Sequence, residues 1–389
     1  MTAISIEFSI FLIFTGAAVL ATLALFARQA IIVAYIFLGM LLGPWGLGAI
    51  NDPETVQDIS NIGIIFLLYL LGLDLLPQQL LSMLGEALST TLASSVIFWL
   101  VGFAIGWLCG LPASESIVVG VALMFSSTII GVKLMPTTAL HHRHIGQIVI
   151  SVLLLQDLLA IMVLLLLQGW GKGGHPAVDI VRQLGFLPVL IGIAWLLERY
   201  VIVRLITRFD QIHEYIFLLA IAWCLGIAEL ASVLGLSHEI GAFVAGITLA
   251  SSPIALFITE KLKPLRDFFL VIFFFSLGAT FNINVLGGIL LPGLLLALAA
   301  LALKPVVFRY LLRRAGEKQH VPLEVGVRLG QISEFSLLIA ILAVESRVIS
   351  ETTSYLIQLA TLLTFIVSSY IIVLRYPTPI AASERLRRD

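Results

Sequence analysis

The sequence predicts an all-α polytopic membrane protein, and three observations predict it. Of 389 residues, 60% are hydrophobic and only 12% are Asp, Glu, Lys or Arg, about half of the roughly 25% charged fraction of a soluble domain. Mean hydropathy is +1.10, and apolar runs long enough to cross a bilayer recur from end to end. The connections are short, none exceeding about 16 residues, which argues for a single domain working within the membrane over residues 1–389. This balance excludes a soluble enzyme, a nucleic-acid binder and a disordered tail. The formal net charge of −1 says nothing about partners. Cys109 and Cys224 both lie inside apolar runs and read as packing hydrophobes, with no zinc spacing and no disulfide framework around them.

Residues 1–9 carry no Lys or Arg and so lack the basic start of a cleaved signal peptide, which makes the apolar stretch that follows a retained first helix. A sliding window then places spans near 4–26, 30–43, 60–76, 88–110, 115–135, 145–168 and 183–206. Six more follow near 213–234, 239–250, 266–281, 288–312, 323–345 and 353–375, giving about 13 transmembrane helices. Spans two and nine fall short of the roughly 20 residues that a full hydrocarbon core requires.

An odd number of spans puts the termini on opposite sides. Seventeen of the 22 Lys and Arg residues, from Arg28 to Arg388, then fall on one side, three (Lys172, Arg182 and Arg347) on the other, and Lys304 and Arg328 inside spans. Loops held in the cytoplasm carry the positive excess, so the N-terminus is expected outside and the C-terminus, with a tail over 376–389, in the cytoplasm.

Charges inside spans are costly, at least ~2.5 kcal/mol near the bilayer centre, and so mark functional sites. Asp157 stands at the centre of span six, after Gln156, with no cation within a helical turn. Lys304 lies in span eleven, about eight residues or ~12 Å from its cytoplasmic end, too deep for its stem to reach water fully. Glu334 sits at the centre of span twelve, with Arg328 two turns before it; pairing with Arg328 and charge compensation of broken-helix ends are both open for it. Span five carries three consecutive hydroxyls, Ser126, Ser127 and Thr128, and span twelve carries Gly330, Gln331, Ser333 and Glu334 at the matching depth. Paired interruptions in corresponding spans of two halves mark two inverted repeats with crossed discontinuous helices, whose broken ends surround an ion near the midplane. Span seven then links spans one to six to spans eight to thirteen.

Gln156-Asp157, together with Gly39-Met-Leu-Leu-Gly-Pro44, Leu70-Leu-Gly-Leu-Asp74, Ser126-Ser-Thr128, Gly241-Ala-Phe-Val-Ala-Gly246, Phe273-Phe-Phe-Ser-Leu-Gly278 and Gly330-Gln-Ile-Ser-Glu-Phe335, resembles the motif set of Kef-type potassium/proton antiporters of the second monovalent cation:proton antiporter family. The resemblance covers nearly the whole chain. It implies a sodium/proton antiporter-like fold in a bacterial inner membrane and a homodimer, with a dimerisation domain over 1–81 and 213–285. It likewise implies a moving core over 86–170 and 286–375 and a linker helix over 180–212. Kef-type proteins continue into a cytoplasmic nucleotide-binding domain that gates them; this sequence stops at Asp389, so 376–389 is either a tail of a protein without that gate or a truncated linker to such a domain, which would then be a partner.

The resemblance implies exchange of K⁺, or Na⁺, against H⁺ by competition at Asp157, with no cofactor in this chain and no enzymatic step. Gln156-Asp157 tilts the cation toward potassium, because sodium-selective relatives carry Asp or Asn before the aspartate. Gln156 can supply a carbonyl oxygen, and Ser126, Ser127, Thr128 and unwound carbonyls can complete an oxygen shell. One acid beside a neutral residue predicts one proton per cation. Lys304 can pair with Asp157 when no cation is bound. Regulatory candidates are His141, His142 and His144, in the loop after span five, and Lys261, Arg266 and Asp267, in a charged segment before span ten resembling the stretch that meets the gating domain in Kef-type proteins. The rival readings are a Na⁺/H⁺ antiporter of the same fold and a gated K⁺ channel-like protein.

Overall fold

The computed structural model describes residues 6–50, 53–75, 86–136, 144–170, 176–209, 211–252, 254–317 and 320–379. Its helices are α1 (Ile6–Phe26), α2 (Ile31–Leu42), α3 (Pro53–Asp74), α4 (Glu86–Leu108), α5 (Ala113–Met124), α6 (Thr128–Lys133), α7 (His144–Trp170) and α8 (Pro176–Leu197). A π turn over Glu198–Ile202 runs on into α9 (Val203–Arg208), and α10 (His213–Val233), α11 (His238–Ala250), α12 (Ala255–Thr280), α13 (Leu286–Arg314), α14 (Val321–Arg328), α15 (Glu334–Glu345) and α16 (Glu351–Arg375) complete the chain.

Among the described residues, nine helices are long and apolar enough to cross a membrane. The second and ninth expected spans are the short α2 and α11, of 12 and 13 residues. The fifth and twelfth are interrupted as the polar residues required, α5 giving way to α6 and α14 to α15. One boundary differs markedly. The tenth span, expected from 266, belongs to a helix that begins at Ala255 and runs through Pro264, so the charged stretch before that span is helical. Hydropathy reports where a helix meets lipid, and the charged turns over Glu260–Asp267 carry no such signal.

The chain divides into two compact units. The first consists of residues 1–17, 35–82 and 168–280. In it α3 packs against α11 and α12, and α10 against α11. These crossings are close because glycines stand at them. A methyl group built on Gly246 of α11 would lie 2.2 Å from the Tyr69 carbonyl oxygen of α3, and one on Gly72 would lie 2.5 Å from the Phe243 carbonyl oxygen. Gly39 of α2 and Gly278 of α12 form a second such pair, each only 2.0 Å from the other helix's backbone by the same construction. Without a hydrophobic drive between helices in lipid, small residues that let backbones approach supply the packing energy. Gly246→Ala is therefore expected to cost about 1–3 kcal/mol by overpacking and to lower the melting temperature of the detergent-solubilised protein. Gly226→Ala, where nothing lies within 4 Å, should leave it unchanged or raise it, since alanine favours helix. Equal melting of both variants would refute the close crossing.

The second unit consists of residues 18–34, 83–167 and 281–389. It holds two runs of the same design: a long helix, a broken pair, then a long helix. They are α4, α5/α6 and α7 in one run, and α13, α14/α15 and α16 in the other. The broken pairs run in opposite order, longer then shorter in one and shorter then longer in the other. The first has 12 residues then six, the second eight then 12. Between the halves, Phe125 to Ser127 and Leu329 to Ser333 are non-helical, and Ser127 and Ser333 cap the helices that follow them by accepting from the Ile130 and Phe335 N–H groups. α13 packs against α4, α14 and α16, which places Lys304 beside both breaks.

Candidate functional site

A broken helix leaves backbone groups unpaired at both new ends, with partial negative charge at the C-terminal end and partial positive charge at the N-terminal end. In the second unit, side chains at the two breaks satisfy one another. Ser126 Oγ donates to the Leu329 carbonyl at 2.9 Å, and Gln331 Nε2 donates back to the Ser127 carbonyl at 3.3 Å and to the Arg328 carbonyl at 2.9 Å. Ser336 Oγ of α15 donates to the Ala122 carbonyl of α5 at 2.7 Å. From α16, Thr364 Oγ1 accepts from the Ile332 N–H at 3.1 Å, and Ser368 Oγ donates to Gln331 Oε1 at 3.0 Å.

Lys304, fully buried, serves the C-terminal ends. Its Nζ donates to the Phe125 carbonyl at 2.7 Å, to the Gln331 carbonyl at 2.9 Å and to Ser126 Oγ at 3.4 Å, and it stands 5.4 Å from the centre of the Phe98 ring. Three acceptors match the three N–H bonds of an ammonium. Glu334 serves the N-terminal ends, opening α15 and accepting from the Ile129 N–H in the first turn of α6 at 3.3 Å, while its Oε2 is buried with no partner among the described residues. The two expected pairings of these charges give way to this arrangement. Lys304 bonds carbonyls rather than Asp157. Arg328 pairs with Glu324 at 2.9 Å, one turn back on its own helix, rather than with Glu334, and its remaining donors reach the Leu134 and Pro377 carbonyls. Backbone carbonyls are acceptors without a sequence signature, so side-chain charge alone points to the wrong partners.

Asp157 lies near the middle of α7 and is only 2% exposed. Among the described residues, its carboxylate receives one hydrogen bond, from Thr128 Oγ1 at 3.4 Å, and no cation pairs with it. Its neighbour Gln156 has a different task from the one expected. Oε1, expected to face an ion, accepts from the Ser126 N–H at 3.0 Å, and Nε2 donates to the Met124 carbonyl at 3.1 Å, so the amide clips α7 across the first break. Ser126 and Ser127 are likewise engaged in joining and capping the breaks. Of the five expected ion-binding residues, Asp157 and Thr128 form a contact that leaves oxygen lone pairs open.

The regulatory candidates do not gather at this site. His141 and His142 lie outside the described residues. His144, at the start of α7, bonds Glu317 beyond the end of α13 at 2.8 Å. Lys261, Arg266 and Asp267 are on α12 of the first unit. There Lys261 lies over Phe257, Arg266 pairs with adjacent Asp267 at 3.4 Å, and Lys263, 2.9 Å from Glu260, holds that exposed carboxyl below the usual range.

Comparison with known proteins follows this geometry. The chain is 30% identical over 346 residues to K(+) efflux antiporter 4 of Arabidopsis thaliana, a match covering 86% of this chain and 58% of that protein, and K(+) efflux antiporter 5 is 31% identical over 354 residues, covering 86% and 60%. The chain thus spans about three fifths of the length of these relatives. Among solved structures, the sodium proton antiporter MjNhaP1 from Methanocaldococcus jannaschii has the same fold, with a TM-score of 0.69 at 18% identity over 94% of this chain and 95% of that one. Residues 10–374 match the family described as sodium/hydrogen exchanger, transmembrane. The chain is a member of that family of membrane transporters.

Proposed function

We propose that this chain exchanges potassium for protons across the membrane, each ion displacing the other from Asp157. The observation that carries this reading is that buried Asp157 has no cationic partner among the described residues. A carboxylate buried at mid-helix whose hydrogen-bond partner among the described residues is one neutral hydroxyl needs a positive partner, and apolar residues would fill the space without the desolvation cost. A proton or a monovalent cation meets that need, and one excludes the other. Coupling then follows from mass action. Thr128 Oγ1 supplies a second oxygen, and Gln156 positions α7 against the break instead of ligating. Lys304 and Glu334 hold the crossing that surrounds the site.

Potassium is favoured by the Gln156-Asp157 pair and by the printed names of the K(+) efflux relatives. In this reading 86–170 and 286–375, with α4–α7 and α13–α16, are the moving core, 1–81 and 213–285 form the homodimer, and 180–212 links them. The chain sits in a bacterial inner membrane with its N-terminus outside. A nucleotide-binding domain gates it in the intact system, acting on the α12 segment around Lys261 and Asp267.

The experiment is proton movement in proteoliposomes containing an entrapped pH dye. Added potassium is expected to collapse a preset pH gradient, with sodium at equal concentration giving a weaker response. A stronger sodium response would move the reading to the sodium antiporters of this fold, and potassium flux without proton movement would replace exchange by a channel.

A further inference from the structure

One face of α16 carries a run of buried polar residues within the membrane, with Ile357 and Phe365 set among them. Thr353, Ser354, Gln358, Thr361, Thr364, Ser368 and Ser369 are all buried; Ser354, Gln358, Thr361, Thr364 and Ser368 recur at the three- and four-residue spacing of a single helix face, with Thr353 and Ser369 adjoining its two ends. From Ser354 to Ser368 the stripe rises ~21 Å at 1.5 Å per residue, most of the roughly 30 Å hydrocarbon core. It faces protein, since α16 packs against α13, α14, α15 and α5.

Both ends of the stripe meet polar groups of other helices or breaks. At one end the half-buried Glu115 carboxylate, in the first turn of α5, accepts from the Ser350 N–H at 3.0 Å and bonds the Thr353 hydroxyl. At the other end Ser368 Oγ bonds Gln331 Oε1, and the Gln331 carbonyl holds Lys304 Nζ at 2.9 Å. Between them, Gln358 Nε2 reaches Ser354 Oγ at 3.3 Å.

Hydroxyls in membrane helices often bond their own backbone, and Thr361 and Thr364 do so, at 2.8 Å each. That accounts for their donors and not for the rest. Gln358 Oε1 and Ser369 Oγ are buried with no hydrogen-bond partner among the described residues, and the residues that carry them are 8% and 0% exposed. An unpaired buried polar atom costs about 1–3 kcal/mol, and ordered water is the usual remedy. Neighbours on the stripe stand ~5–6 Å apart, a gap that one water closes with two bonds of ~2.8 Å.

The geometry points to a file of water along this face of α16, running from Glu115 to the Gln331–Lys304 contact and separate from Asp157. Its ligand is water and the protons water carries. It carries water and protons from the face bearing Glu115 to the Gln331 side chain, next to the backbone carbonyl that holds Lys304. A proton passes along the file when each water accepts on one side and releases on the other, so no net charge stays on the stripe.

The test uses water itself as the probe. X-ray radiolysis of the solubilised protein oxidises side chains in contact with bound water, and mass spectrometry reads each position. In Ser369→Cys protein the new thiol is expected to oxidise at least tenfold faster than Cys224, which is fully buried and serves as the internal dry control. Thr361→Leu, which plugs the stripe between Glu115 and position 369, should return the reporter to the Cys224 rate, and the isosteric Thr361→Val should slow it with less risk to folding. A reporter that oxidises no faster than Cys224, or one indifferent to both Thr361 variants, overturns the water file. The reading needs no transport, so it stands or falls apart from exchange at Asp157, and Asp157→Asn protein should give the same oxidation pattern.

Discussion

Asp157→Asn is expected to reduce potassium-driven proton movement in proteoliposomes at least a hundredfold while leaving the protein folded. The two halves of this expectation have separate causes. An amide can neither carry the exchanged proton nor offer the negative charge that draws a cation out of water, so competition at the site has no competitors left. Folding is spared because the carboxylate's one hydrogen bond, 3.4 Å from Thr128 Oγ1, is long, and the Asn oxygen still accepts it. Replacing a buried unpaired charge by a neutral isostere also removes a desolvation cost, so the melting temperature should hold or rise. Retained exchange in a well-folded variant would remove Asp157 from the site and transfer attention to Glu334, whose Oε2 is buried without a partner among the described residues.

Much of this arrangement was legible in the sequence, for an identifiable reason. Apolar runs report lipid contact, so the spans of the long helices were readable, and the two breaks announced themselves because Ser126-Ser127-Thr128 and Gln331 to Glu334 are too polar for an uninterrupted span. Asp157, Lys304 and Glu334 were conspicuous because ionisable groups at that depth are rare. What they bond was not legible. Lys304 and Arg328 turn chiefly to carbonyls, present at every residue, and Gln156 donates and accepts at once, so its type alone cannot say whether its oxygen serves an ion or a backbone N–H. The stripe on α16 escaped notice for a different reason: each hydroxyl is averaged away by its apolar neighbours, and only the helical period of the set reveals a face. The glycines at 39, 72, 246 and 278 appeared in the sequence as recurring motif members, and their reason, backbone against backbone, needs both helices at once.

Lys304→Leu is expected to be the most damaging substitution to the fold. Its ammonium bonds the Phe125 and Gln331 carbonyls at 2.7 and 2.9 Å, where the two interrupted helices present their partial negative ends. Hydrogen bonds to a charged group contribute about 1.5–3 kcal/mol each, so losing both costs roughly 3–6 kcal/mol, comparable to the whole stability of many domains. Leucine offers no donor, and the facing carbonyls then repel each other in a site from which lipid excludes ready substitutes. The variant should aggregate or melt well below the wild type in detergent, and exchange should vanish with the fold. Lys304→Arg separates charge from shape: guanidinium retains the donors, so the crossing should partly recover, while its planar fork cannot reproduce three converging bonds, so transport should remain impaired. A Lys304→Leu protein that melts within a few degrees of the wild type would show that the crossing is held by Ser126, Gln331 and Gln156 alone, and would leave Lys304 free for proton exchange without a structural burden.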